Sequence, residues 1–240
     1  MRFLRLLAAI FFLMAMSCAL FANVVNLPSS GKPDAIMLEN NGEKELRKGN
    51  LEPALHYFDA AIQTNPRMWI AYYNRARVFE RQRKWELVVR DTTIILQGPK
   101  WLTNAGVLRG IANGELGRYR AALADFDKVI GFNMQDTAYY RALDGRAWLR
   151  ATCPDAAFRN GPAGLEDAKR AAAVMKTAGV IDTLAATYAE VGDFDSAIGC
   201  EGPAIAAIKP SRTDADELKS SFEKRLASFK QHRPWREILK

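Results

Sequence analysis

"GNLEPALHYFDAAIQTNP", Gly49 to Pro66, returns later in the chain as "GRYRAALADFDKVIGFNM", Gly117 to Met134, with the two glycines 68 residues apart, twice 34. Halfway between them lies "RKWELVVRDTTIILQGPK", Arg83 to Lys100, and further on comes "GDFDSAIGCEGPAIAAIK", Gly192 to Lys209. The first copy sets the pattern: Gly49, then Leu51, Ala54, Phe58 and Ala61, closed by Pro66. The third repeats it as Gly117, Tyr119, Ala122, Phe126 and Val129, and the last as Gly192, Phe194, Ala197 and Ala204. Spacings of three and four put these side chains on one stripe of a helix. The glycine supplies the tight turn between the two helices and the proline ends the second. Another helical stretch precedes each turn, such as "TNAGVLRGIANGEL", Thr103 to Leu116, whose Gly106 and Gly110 allow close packing. That glycine spacing is no phosphate loop, because no Gly-Lys-Ser/Thr follows and no strand precedes.

A period of 34 residues built from two helices and carrying these positions resembles the tetratricopeptide repeat. The resemblance implies an all-α fold, a right-handed α-solenoid of about five helix-turn-helix repeats. In that register the array runs over 35–211, as copies 35–68, 69–102, 103–136, 137–177 and 178–211. The second copy is degraded, with Arg83, Val88 and Thr92 at positions that usually carry glycine, alanine and an aromatic residue. After the array, residues 212–240 carry Leu218, Phe222, Leu226 and Phe229 at helical spacing, with polar residues between. A C-terminal capping helix of this kind covers the apolar face that a last repeat would otherwise expose.

The N-terminus reads as a targeting segment. Arg2 and Arg5 precede an uncharged apolar run from Leu6 to Ala22, the layout of a signal peptide over 1–22, cleaved after Ala19 or Ala22. The alternative is an uncleaved membrane anchor, although the run falls short of the roughly 20 residues a spanning helix needs. Residues 23–34, with Pro28, Gly31 and Pro33, form a linker. The expected location is periplasmic or secreted, with a membrane-anchored form as the alternative. Removing the leader lowers the net charge from +7 to +5, and residues 69–102 hold seven Lys/Arg against three acids. In an exported protein that surplus points away from nucleic acid and toward anionic surfaces or acidic partners.

The fourth copy is interrupted by "ATCPDAAFRNG", Ala151 to Gly161. This loop and the closing "KRLASFKQHRPWRE" resemble a divergent repeat pair and cap found together in bacterial tetratricopeptide proteins. Pro154 stops the first helix, Asp155 caps a short turn, Asn160-Gly161 is expected to form a left-handed turn, and Pro162 suits a helix start. Cys153 has no base near it, since His56 and His232 lie in the first copy and the tail, which excludes a nucleophile. No Cys or His spacing suits a metal, and no cofactor motif is present. After leader removal Cys153 and Cys200 are the remaining cysteines; they can pair as a disulfide or stay buried and free.

In the repeat register the first helix of each pair lines a concave groove. The residues expected there are Tyr73, Asn74, Arg77 and Arg81 of the second copy, with Ile70, then Asn104, Val107, Leu108 and Ile111 of the third, with Gly114. The fourth copy adds Arg141 and Trp148, with Gly145. A peptide with apolar anchors and an acidic group would complement this mixture. Some tetratricopeptide proteins clamp a terminal carboxylate with lysine and asparagine; here Asn74 matches, whereas Glu39 and Glu43 occupy two other clamp positions, so the clamp is absent. The functional expectation is an exported, non-enzymatic scaffold that binds a peptide or partner protein in the groove. The alternative is an accessory subunit of a cell-envelope assembly that touches anionic surfaces through its basic face.

Overall fold

The structure, a computed structural model, describes residues 34–98, 102–210 and 214–237. The leader expected at 1–22 and the linker up to residue 33 lie outside the described residues. Among the described residues there are eleven α-helices and no strand, and no helix is long and apolar enough to cross a membrane. The helices are α1 (Ala35–Lys48), α2 (Leu51–Thr64), α3 (Trp69–Arg81), α4 (Trp85–Leu96), α5 (Thr103–Glu115) and α6 (Tyr119–Gly131). They continue with α7 (Thr137–Thr152), α8 (Gly161–Val174), α9 (Ala178–Glu190), α10 (Phe194–Ala206) and α11 (Ala215–Lys230). The packing divides into two compact units, one ending at Met68 and one beginning at Trp69.

The first unit holds the α1–α2 hairpin. Asp34 caps α1 by accepting from the Ile36 amide at 3.0 Å, and Gly49 turns the chain with φ +85°. Phe58 of α2 is fully buried against Gly42 of α1, where a Cβ would stand 2.6 Å from the ring. Only a glycine at this position lets the aromatic ring reach the neighbouring helix backbone.

The second unit repeats that hairpin. Each helix from α3 to α11 packs on the next, and α7 also contacts α5 and α9, so the first helices of successive pairs stand side by side. Phe126 of α6 fills the same place against Gly110, again 2.6 Å from an added Cβ, and presses equally on Gly145 of the following copy. The turns use Gly117 at φ +71° and Gly192 at φ +84°. The degraded second copy puts Arg83 into that left-handed position at φ +55°. Its Thr92, standing where the first and third copies have Phe58 and Phe126, is buried and donates to its own helix at Val88 O, 2.6 Å away.

Charge pairs bind three of the hairpins internally. Arg75 of α3 holds the fully buried Asp91 of α4 through Nε at 2.7 Å and Nη2 at 2.9 Å. Arg109 and Asp125 repeat this between α5 and α6. In the fourth copy Arg146 grips Asp167 with Nε and Nη2, both at 2.8 Å, while its Nη1 reaches back to Asp127 at 2.6 Å. A forked guanidinium on a carboxylate fixes both distance and rotation between two helices.

The inserted loop has a structural explanation. A short 3₁₀ turn spans Ala156–Phe158, and Asp155 accepts from the Ala157 amide at 2.9 Å. Asn160 is extended, at φ −154°, and accepts from the Ala163 amide as the N-cap of α8, so the expected left-handed Asn-Gly turn does not form. Helix α8 starts directly at Gly161 because the asparagine side chain serves its first turn. Arg159 donates to the carbonyls of Cys153 and Pro154 at 2.8 and 3.1 Å and pairs with Glu190. The Arg-Asn-Gly segment therefore staples two helix ends together.

Candidate binding cavity

The expected groove residues separate into three groups. Val107 and Leu108 are completely buried; Val107 packs with Ala122, Phe126, Leu149 and Cys153. Asn74 is 2% exposed and accepts from Arg77 Nη1 at 3.0 Å. These three belong to the interior, a correction of the groove assignment. They sit about one position around the helix from the open face, a turn of roughly 100° that spacing alone does not orient.

Tyr73, Arg77 and Arg141 are half-buried, while Arg81 and Asn104 are exposed. Glu80 sits among the three arginines: its carboxyl is raised by burial, against the charges of Arg141, Arg77 and Arg81. The expected basic end thus carries its own anion.

Ile111 and Trp148, with Gly114 and Gly145, do line an open space of about 640 Å³. Its floor is Gly110, Ile111, Gly114 and Glu115 of α5 and Gly145, Trp148 and Leu149 of α7. Tyr119 and Phe126 of α6 add aromatic surface, and Arg83 and Trp85 stand at one side. The opposite wall is Glu217, Ser221, Lys224 and Arg225 of α11, followed by Trp235 and Glu237 of the tail.

The capping helix therefore does more than shield an end. Arg225 is 7% exposed and donates through Nε to Asp182 of α9 at 2.6 Å, with Glu201 of α10 at 3.9 Å. Its guanidinium lies 4.7 Å from the Phe222 ring centre, 5.3 Å from Trp148 and 5.8 Å from Trp235, a cation held between aromatic faces. Burial and the neighbouring Asp182 charge hold Glu201 well above the ordinary carboxylate range, and burial likewise raises Asp182. Both carboxyls face the single guanidinium of Arg225.

The tail then crosses the end of α7. The Glu237 amide donates to Thr152 O at 2.9 Å, and Arg236 reaches Ala151 O at 3.1 Å and Glu190 at 2.7 Å. Trp148, expected to face a ligand, is shared between the cavity and this cap. The anchor was readable in one respect: Arg225 stands three residues after Phe222 and four before Phe229, a charge inside the apolar stripe. Its partners on α9 and α10 carry no comparable signal.

Cys153 and Cys200 are free cysteines in different clusters, the first beside Phe126 and the second beside Ala197 and Phe229. Burial pushes both thiols up, which disfavours thiolate chemistry. His56 lies in the first unit, and His232 stacks on Phe194 with ring centres 5.1 Å apart. Among the described residues no cluster of His, Cys, Asp and Glu is placed to hold a metal ion.

Comparison with solved structures decides the architecture. A thermophilic tetratricopeptide protein of Thermus thermophilus superposes with a TM-score of 0.62 at 18% identity, covering 79% of this chain and 99% of that one. The chain has the tetratricopeptide-repeat fold. YrrB, described as a tetratricopeptide protein with an unusual peptide-binding site, superposes at TM-score 0.52 and 18% identity, over 78% of this chain and 92% of its own. In sequence, the DnaJ homolog subfamily C member 3 of Rattus norvegicus is 37% identical over 92 residues, 38% of this chain and 18% of the relative. The chain thus spans about a fifth of the length of the curated relatives it matches first. No protein-family model matches it.

Proposed function

We propose that this chain is an exported, non-enzymatic tetratricopeptide scaffold that binds a peptide segment of a partner protein in the cavity between α5, α7 and α11. The observation that carries this reading is the cavity itself. Its floor is open at Gly114, its lining is rich in aromatic residues, and its volume of about 640 Å³ admits several side chains. Gly114 leaves helix backbone open to a ligand, whereas Gly110 and Gly145 are covered by the Phe126 ring, and the five aromatic residues Trp85, Tyr119, Phe126, Trp148 and Trp235 supply anchoring surface. A tetratricopeptide neighbour described by its peptide-binding site supports the same use of the fold. Export rests on the leader pattern of residues 1–22 and places the protein in the periplasm or outside the cell.

The test fills the cavity without disturbing the core. An added Cβ at Gly114 meets only Leu149 Cδ1, at 3.9 Å, so Gly114→Phe projects into the open space. Replacing a helical glycine also favours the helix. Peptides captured by the wild type should lose binding to this variant while its melting temperature is kept or raised; undiminished binding overturns the cavity as the site. For export, mass measurement of the mature chain should give an N-terminus at Leu20 or Asn23 in the envelope or secreted fraction. A cytosolic chain retaining residues 1–22 refutes it.

A further inference from the structure

The charges around the cavity do not cancel evenly. Arg225 is committed to Asp182 at the back, and Arg83 pairs with Glu217 at the rim, 3.2 Å apart. Two further carboxylates, Glu115 at the C-terminal end of α5 and Glu237 on the tail, line the same space. Among the described residues the Glu115 side chain makes no hydrogen bond or ion pair, and that of Glu237 receives the Trp235 indole N–H alone, at 3.2 Å. Burial, and after it the charge of Glu237, raises the Glu115 carboxyl, with Arg83 opposing. Among the described residues Lys224, on the exposed side of α11, is the one remaining cation on the lining.

Glu115 is also badly placed for stability. The last turn of a helix already carries partial negative charge, and an anion there is disfavoured. Two carboxylates brought to one space from α5 and from a tail more than a hundred residues later in the chain repel each other, and a cation placed between them relieves that repulsion. The aromatic faces nearby suit the same guest: a guanidinium stacks on Trp or Tyr and offers forked donors to carboxylates, and it loses little hydration in doing so.

We propose that the cavity binds an arginine side chain of the partner peptide, with Glu115 and Glu237 accepting from its guanidinium, Trp85 and Tyr119 beside it, and flanking apolar residues laid on the floor at Gly114. This rests on the cavity being the peptide site and sharpens it to a charge class opposite to the acidic peptide expected from sequence. The reversal has a simple source. Glu80 sits among Arg77, Arg81 and Arg141, the arginines that made the groove look basic, whereas the two carboxylates of the cavity converge from distant positions.

The experiment is selection of a random peptide display library on the full chain, with counter-selection on the Gly114→Phe variant. Recovered peptides should centre on an arginine flanked by apolar residues. A synthetic peptide of that consensus should bind about tenfold more tightly than its citrulline twin, the same shape without the charge. The Glu115→Gln/Glu237→Gln double variant should bring the two peptides to similar affinity by weakening the arginine peptide, with the melting temperature kept or raised. A consensus without arginine, an acidic consensus, or equal binding of the citrulline twin overturns the arginine assignment and leaves the peptide site standing. Recovery of no peptide that distinguishes the wild type from Gly114→Phe overturns both.

Discussion

Arg109 holds Asp125 with both arms of its guanidinium, Nε to Oδ2 at 2.9 Å and Nη2 to Oδ1 at 2.6 Å. The same clasp joins Arg75 to Asp91 one repeat earlier, and Arg109 Nη1 reaches Thr93 of that earlier repeat at 3.3 Å. These forks set the angle within each hairpin and link one hairpin to the next. Asp91 is fully buried, so losing it leaves an arginine in a dry site without its counter-charge. Asp91→Ala should cost about 3 kcal/mol, whereas the apolar replacement Arg75→Met/Asp91→Leu should cost far less. Denaturant titration followed by tryptophan fluorescence reads this directly, because all five tryptophans lie beyond residue 68, in the second unit.

Two glycines one turn apart on α5 should respond in opposite directions. At Gly110 a methyl group would meet the Phe126 ring at 2.6 Å, and at Gly114 it meets nothing nearer than 3.9 Å. Gly110→Ala is expected to destabilise the second unit by about 2 kcal/mol through overpacking, and Gly114→Ala to stabilise it by up to about 1 kcal/mol. Equal effects at the two sites would contradict the packing described. The first unit offers a parallel case in Gly42→Ala, opposed by Phe58 at 2.6 Å.

Arg83 occupies the turn position that Gly49, Gly117 and Gly192 hold in other copies, with φ +55°. A left-handed backbone costs a non-glycine residue roughly 1 kcal/mol or more. Its ion pair with Glu217 is largely exposed on both sides and contributes little in return. Arg83→Gly should therefore raise the melting temperature of the second unit by a few degrees; a decrease would show that the contact with α11 outweighs the strained turn.

Burial of the acids around the cap makes stability depend on pH with a definite sign. Asp144 of α7 is pushed up to about 6, chiefly by desolvation, with Asp182 adding to the rise and Thr183 and Arg141 opposing it. Glu201 and Asp182 are raised as well, facing Arg225 of α11 and, for Asp182, Glu237 of the tail. A raised carboxyl keeps in the folded state a proton that the unfolded chain releases from about pH 4 upward. The folded state is thus favoured at low pH and loses that advantage as pH rises, for Asp144 up to about 6 and for Glu201 further. The melting temperature of the second unit should be higher at pH 5 than at pH 8. Glu201→Gln, which mimics the protonated form, should flatten that slope and stabilise the protein at pH 8. A slope unchanged in this variant would remove Glu201 as its source.

The architecture was legible because it is written locally and repeatedly. Gly49, Phe58, Gly117 and Phe126 each act within a helical hairpin, and a period of 34 lets each copy check the others. Even the clasp of arginine and aspartate was present at that period, at Arg75 and Arg109 and at Asp91 and Asp125, though charged residues on helices read first as solvated surface. The cavity was legible only in part: Ile111, Gly114, Gly145 and Trp148 follow from the face of α5 and α7, while Val107 and Leu108 on α5 turn inward.

What the sequence by itself determined is the repeat, its turns and its two-helix unit, since these depend on contacts between residues no more than about a repeat apart. Tertiary structure alone decided where the end of the chain lies. Arg225 finds Asp182 and Glu201, and Glu237 comes to share a cavity with Glu115, across separations that no period relates. Contacts of that kind have no counterpart in another copy, so the charge of the cavity emerges only when the cap is folded against the array.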